Sequence, residues 1–187
     1  MNWHKHSNLK DAHAFLSPSN YHWLNYDDEK LLNTFHSMKA KEEGTELHVI
    51  AAKLIEKRIK VQSTKQTFNM YVNDAIGFRM DPEVLLLYSV FCFGTADAIT
   101  YIPKKRQLRI HDLKTGSIPA SMKQLYIYAA VFFLEYGEEY NITPDDVNIE
   151  LRIYQNDEIK TECPTAEDIL SIMEHIRHCD EILRNEV

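Results

Sequence analysis

The chain has 187 residues, 44% hydrophobic and 26% charged, with 5 Gly and 6 Pro, which excludes a disordered or fibrous protein and fits one domain with a substantial core. No apolar run approaches the roughly 20 residues of a membrane-spanning helix, and the opening MNWHKHSNLKDAH is too polar for a signal peptide. The expectation is a soluble, intracellular (cytoplasmic) protein with no membrane partner, although a net charge of -7 is unusual for one that handles nucleic acid.

In chain order, LSPSNYHWL (16 to 24) reads as a short helix with Ser17 as N-cap and Pro18 at the first helical position. A second helix is expected over 28 to 41. The segment 45 to 60 places Leu47, Ile50, Ala51, Leu54 and Ile55 at an amphipathic helical period, with His48 beside that face. From Glu83 onward the pattern becomes strand-like: 84 to 89, 91 to 102, a basic turn at 103 to 107, then 108 to 114, read as three consecutive antiparallel strands. A long apolar helix over 121 to 137 ended by Gly137, a strand over 148 to 155 and an amphipathic helix over 165 to 185 complete the chain. With no repeat or linker, the reading is a single α/β domain over 1 to 187.

Charge is distributed unevenly. Residues 1 to 134 carry 17 Lys and Arg against 13 Asp and Glu, whereas residues 135 to 187 carry 4 against 15. The acidic C-terminal third is a poor DNA surface, so nucleic acid is expected to meet the middle of the chain. Cys92, Cys163 and Cys179 are odd in number and widely spaced, which argues against a disulfide framework, a zinc knuckle or a four-thiolate cluster. They read as reduced thiols with Cys92 in the core, and the protein is expected to hold neither iron nor zinc.

Asp97 and Asp112 fall on adjacent expected strands, and Lys114 follows two residues after Asp112. Side chains at i and i+2 of a strand share a face, and strand pairing can bring Asp97 beside them. Clustered carboxylates suit Mg²⁺ or Mn²⁺, hard cations that also engage phosphate. Alone, D-x-K is weak: Asp112 and Lys114 read equally as solvent-facing residues near a strand end, and Asp97 as the cap of a turn.

The surroundings shift that balance. LSPS (16 to 19), Gly44 to His48 (G-x-x-x-H), GTAD (94 to 97), DLKTG (112 to 116) and QLYIY (124 to 128) form an ordered series that closely resembles the RecB-like exonuclease branch of the PD-(D/E)XK nuclease superfamily, over about residues 16 to 130. The resemblance implies a restriction-endonuclease-like core, a mixed central sheet flanked by helices in the order α-β-β-β-α-β. It implies a Mg²⁺- or Mn²⁺-dependent deoxyribonuclease, an exonuclease of bacterial or phage recombination or repair, acting alone or with a separate recombination protein; oligomeric state stays open. The alternatives are a noncatalytic DNA-binding or assembly module that keeps the fold, or a structure-specific endonuclease.

By the same resemblance His48, Asp97 and Asp112 match metal ligands, Leu113 offers its carbonyl to the metal, and Lys114 matches the catalytic lysine beside Asp97 and Asp112. Gln124 and Tyr128 match a Q-x-x-x-Y signature that contacts DNA or braces the lysine; at i and i+4 they share a helical face, and Tyr128 reads equally as core. Glu83 is expected to be a surface charge beside Pro82 rather than a further acid of the site. Many relatives carry four cysteines around an iron-sulfur cluster, but HWLNYDDEK has none, so no such cluster is expected. Lys104, Lys105, Arg106 and Lys123, with Lys53, Lys57 and Arg58, are the expected basic border of a groove that admits a DNA end.

Overall fold

The computed structural model describes residues 1–9, 14–37, 46–115 and 119–186. Its frame is a five-stranded mixed sheet in the order β1-β2-β3-β4-β5. The strands are β1 (Asp81–Ser89), β2 (Cys92–Ile102), β3 (Gln107–Leu113), β4 (Asn148–Gln155) and β5 (Glu158–Glu162). The first three are antiparallel neighbours, as the sequence suggested, β3 and β4 run parallel, and β5 returns antiparallel. A parallel pair needs a crossover, and here α4 (Lys123–Tyr140) supplies it.

Helices cover both faces because β2 and β3 bury side chains in both directions. Ile99, Tyr101, Leu108 and Ile110 join a core with Leu125, Ile127, Phe132 and Tyr136 of α4 and with Ile169, Ile176 and Leu183 of α5 (Ala166–Arg184). Ala98 and Leu113 point the other way, into a smaller cluster with Ala51 and Ile55 of α2 (Glu46–Glu56) and Tyr71, Val72 and Ala75 of α3 (Thr67–Gly77). Neighbouring residues of a strand face opposite sides, so one hairpin serves both cores. α1 (Asp28–Ser37) covers part of the expected 28 to 41 helix, whose last four residues lie outside the described ones, as do Gly44 and Gly116 of the motifs.

Several expectations need correction. In α2, Leu47 and Ile50 are 45% and 48% exposed, whereas Ala51 and Ile55 are fully packed; half-buried His48 precedes them at i, with Ala51 at i+3 and Ile55 at i+7, which puts His48 on the inward face. The helix stops at Glu56 rather than 60, because Arg58 turns left-handed at φ 56 and Ile59 N–H closes back on the Leu54 carbonyl at 2.9 Å. Gly137 does not end α4. The helix runs on to Tyr140 and is capped by left-handed Asn141, while Ile142 N–H donates to the Gly137 carbonyl at 2.9 Å and a Cβ on Gly137 would lie 3.2 Å from the Ile142 carbonyl. Gly137 serves the close return of the chain. The segment 16 to 24 is a 3-10 stretch, Pro18–Asn25, in which the Ser17 hydroxyl pairs with Ser19 at 2.8 Å instead of capping a backbone amide. Finally, α3 and β5 were not anticipated.

Candidate functional site

Three carboxylates lie on one row across three strands. The β1–β2 register pairs Pro82 with Ala98 and Val84 with Ala96, so Glu83 stands opposite Asp97. The β2–β3 register ends at Ala98 with His111, so the next place in line sets Asp97 opposite Asp112. Like charges directly opposed on a sheet repel, and the backbone yields at both crossings. Glu83 takes a left-handed conformation at φ 50, and Leu113 N–H donates to Asp97 Oδ2 at 2.9 Å.

α2 lays His48 over this row, with Nδ1 3.3 Å from Asp97 Oδ2. Ligand atoms of His48, Glu83 and Asp97 fall within 4.8 Å of one another. The Asp97 carboxylate, as hydrogen-bond acceptor, holds the His48 imidazolium above its ordinary range, with burial opposing. Glu83 is exposed as a residue, yet its carboxyl group is crowded by protein and by the Asp97 charge and is pushed up to about 7. Glu83 is therefore part of the cluster and not the separate surface charge expected beside Pro82.

Asp112 sits deeper, 2% exposed, outside the tight trio. Burial and then the Asp97 charge push its carboxyl group well above the usual carboxylate range, against the pull of Lys114. Lys114 Nζ lies 3.1 Å from Asp112 Oδ1 and 3.0 Å from Oδ2, but only Oδ1 receives a hydrogen bond, and buried Oδ2 has no hydrogen-bond partner. An orphaned carboxylate oxygen at this depth is costly. A cation offsets that cost, and the oxygen-rich donor set of Glu83, Asp97 and Asp112 with one imidazole suits a hard divalent ion.

Lys114 lies just past the end of β3, held where its N–H donates to the Tyr154 carbonyl of β4 at 2.9 Å. Its ammonium also donates to Gln124 Oε1 at 2.8 Å. Gln124 is 8% exposed, so it braces the lysine from α4 and presents little surface to a ligand. Tyr128, one turn on and buried, donates its hydroxyl to the Thr95 carbonyl, two residues before Asp97. A Cβ on Gly94 would come within 2.8 Å of Pro18 Cδ and 3.2 Å of Tyr128 Cε1. The LSPS, GTAD and QLYIY motifs therefore meet at one close approach that supports β2 beneath the acids, Tyr128 through packing and its bond to Thr95, whereas Gln124 acts through its hydrogen bond to Lys114.

A cavity of about 240 Å³ opens beside Lys114, lined by Leu47, Thr67, Phe68, Leu113, Thr115 and Asn156. On the α3 side of the sheet, burial, Arg152 and Arg109 hold buried His111 well below its ordinary range, with the Tyr154 hydroxyl 3.2 Å from its Nδ1.

The expected basic border is dispersed. Lys104, Lys105 and Arg106 lie at the far end of the β2–β3 hairpin, roughly 20 Å along β3 from Asp112 at strand rise, and Arg106 pairs with Asp146 at 2.7 Å. Arg58 donates to the Met80 carbonyl at 2.7 Å and neighbours Asp81. Lys53 sits about 140° around α2 from His48, and Lys57 lies past the end of that helix at Glu56. Lys123 lines a different cavity, with Tyr126, Lys160 and Glu162. No protein-family model, curated protein or solved structure matches the chain.

Proposed function

We propose that this protein is a divalent-metal-dependent deoxyribonuclease with a restriction-endonuclease-like core, degrading DNA from an end in recombination or repair. The observation that carries the reading is the convergence of His48 and Lys114 on the row of Glu83, Asp97 and Asp112, with Asp112 Oδ2 buried, beside the Lys114 ammonium and without a hydrogen bond. The resemblance of the ordered motifs supplies DNA as the substrate.

His48, Glu83 and Asp97 would hold Mg²⁺ or Mn²⁺, with Asp112 and the Leu113 carbonyl on its inner side. Such an ion supplies charge stabilisation at the phosphate and lowers the pKa of water. Lys114 stands over Asp112, and with two of its three ammonium donors given to Asp112 and Gln124 the third would orient the attacking water or meet a phosphate oxygen. Gln124 fixes the direction of that ammonium, since an unbraced lysine stem samples many rotamers. The cavity between Leu47 and Phe68 leaves room for a nucleotide on the open side of Lys114. Among the described residues few unpaired cations border it, which favours a strand end over a long duplex footprint.

The test is digestion of end-labelled linear DNA and of covalently closed circles with Mg²⁺, Mn²⁺ or EDTA. Metal-dependent loss of the linear DNA with surviving circles supports the reading. Efficient cutting of circles makes the protein an endonuclease, and no cutting of any DNA removes the nuclease assignment.

A further inference from the structure

A second cluster of donor atoms lies where the N-terminal segment meets α4 beside β1, and it shares no residue with the first. The N-terminal segment is pinned there by Trp3, whose ring packs edge-on against Phe132 and Tyr136 at 6.3 and 5.7 Å and whose indole N–H donates to Asp81. His4 N–H donates to the Tyr136 hydroxyl at 2.7 Å. His4 and His6 then turn their rings toward Glu135, and one ligand atom from each of the three lies within 4.8 Å of the others.

Proton counting makes this arrangement informative. Glu135 has only 5% of its side chain exposed; its Oε2 accepts from Leu87 N–H at 2.7 Å, and its Oε1 faces both His4 Nδ1, at 3.1 Å, and His6 Nε2. The other nitrogen of His4, Nε2, meets the Glu139 carboxylate. Ionised carboxylates only accept, and a neutral imidazole has one N–H. With that N–H given to Glu139, His4 Nδ1 directs a lone pair at an oxygen that also has only lone pairs. A second proton on His4, a proton on one of the two carboxyl groups, or a cation between the rings and Glu135 resolves the conflict.

We propose that His4, His6 and Glu135 bind one zinc ion, with Glu139 as the carboxylate that orients His4. Two imidazoles and a carboxylate are a zinc donor set, whereas Mg²⁺ and Mn²⁺ favour oxygen. A carboxylate on the far nitrogen of a ligating histidine fixes its tautomer and raises its basicity. The expectation of a zinc-free protein rested on its three cysteines, which bear on a thiolate site alone, and this cysteine-free donor set departs from it. Bound here, zinc ties the N-terminal segment to α4 and, through Leu87, to β1.

The test uses the Asp97→Asn variant, so that zinc at the nuclease cluster does not confuse the count. Chelator-treated protein is equilibrated with Zn²⁺, and metal per chain is measured by elemental analysis together with the thermal midpoint. The proposal expects one zinc per chain with a raised midpoint, loss of both on adding His6→Ala, and affinity weakened about 10- to 100-fold on adding Glu139→Gln. Glu139 is half exposed, so Glu139→Gln decides the matter even if His6→Ala fails to fold. Absence of zinc in Asp97→Asn, or wild-type affinity after Glu139→Gln, overturns it and leaves the cluster to its hydrogen bonds alone.

Discussion

Lys114 and Gln124 are joined by a 2.8 Å hydrogen bond from the ammonium to the side-chain carbonyl, a link between the end of β3 and the first turn of α4. Without it the lysine keeps Asp112 alone. Gln124→Ala is expected to lower kcat about 10- to 100-fold, the scale of a misplaced reacting group, while Mn²⁺ affinity and KM stay within about two-fold. Single-turnover kinetics beside calorimetric Mn²⁺ titration measure both, and unchanged kcat would remove Gln124 from any positioning role.

Asp112 sets function against stability. Its folded-state pKa is raised by burial and by Asp97, so the folded protein holds a proton that the unfolded chain has lost. Metal-free stability therefore falls as pH rises from about 4, the unfolded value, through the raised folded value. Asp112→Asn keeps the shape and removes the charge. It is expected to abolish cleavage yet raise the metal-free thermal midpoint at pH 8 by a few degrees, at roughly 2–4 °C per kcal/mol for this size, with little change near pH 4. An equal or lower midpoint at pH 8 would show that the row of acids is not the strained element described here.

Gly94→Ala is expected to destabilise by about 1–3 kcal/mol, the usual cost of overpacking, because its Cβ would press on Pro18 and Tyr128. Tyr128→Phe, which removes the bond to the Thr95 carbonyl, should cost less, about 1 kcal/mol. Chemical denaturation checks the order; Gly94→Ala at wild-type stability would mean the three motifs do not share a packing point.

The dispersed cations give a further expectation. Lys104→Ala with Lys105→Ala should leave cleavage within about two-fold, and the dependence on salt should be shallow, since each phosphate contact adds only about 0.9 to the log-log slope. A steep slope, or a large loss on removing the hairpin lysines, would place the DNA across the far end of the sheet.

Much of this was legible in the sequence. Alternation and turn residues marked the first three strands, and the i, i+2 relation of Asp112 and Lys114 marked the edge at which the lysine and that acid meet. Glu83 was not legible, for a local reason. Ser89 pairs with Cys92, and the register shifts by one between Leu87 and Ser89. A hairpin counted back from Ser89 without that shift puts Glu83 opposite Ala98, and a one-residue slip sends a side chain to the other face. α3 was missed although Phe68, Tyr71, Val72 and Ala75 carry a helical period, because its aromatic and β-branched residues have modest helix propensity. β5 has Ile159 as its sole large apolar residue and gains its pairing from β4. The inward face of α2 was misjudged because exposed Leu47 and Ile50 outweighed Ala51 in a hydrophobic count.

The most direct measurement of the central claim pairs Mn²⁺ binding with cleavage of end-labelled linear DNA in the wild type, Lys114→Ala and Asp97→Ala. The expected result is binding and cleavage in the wild type, near wild-type binding with cleavage abolished in Lys114→Ala, and loss of both in Asp97→Ala, which removes an anionic ligand. Cleavage by Lys114→Ala within a few-fold of wild type, or wild-type Mn²⁺ binding by Asp97→Ala, would contradict it.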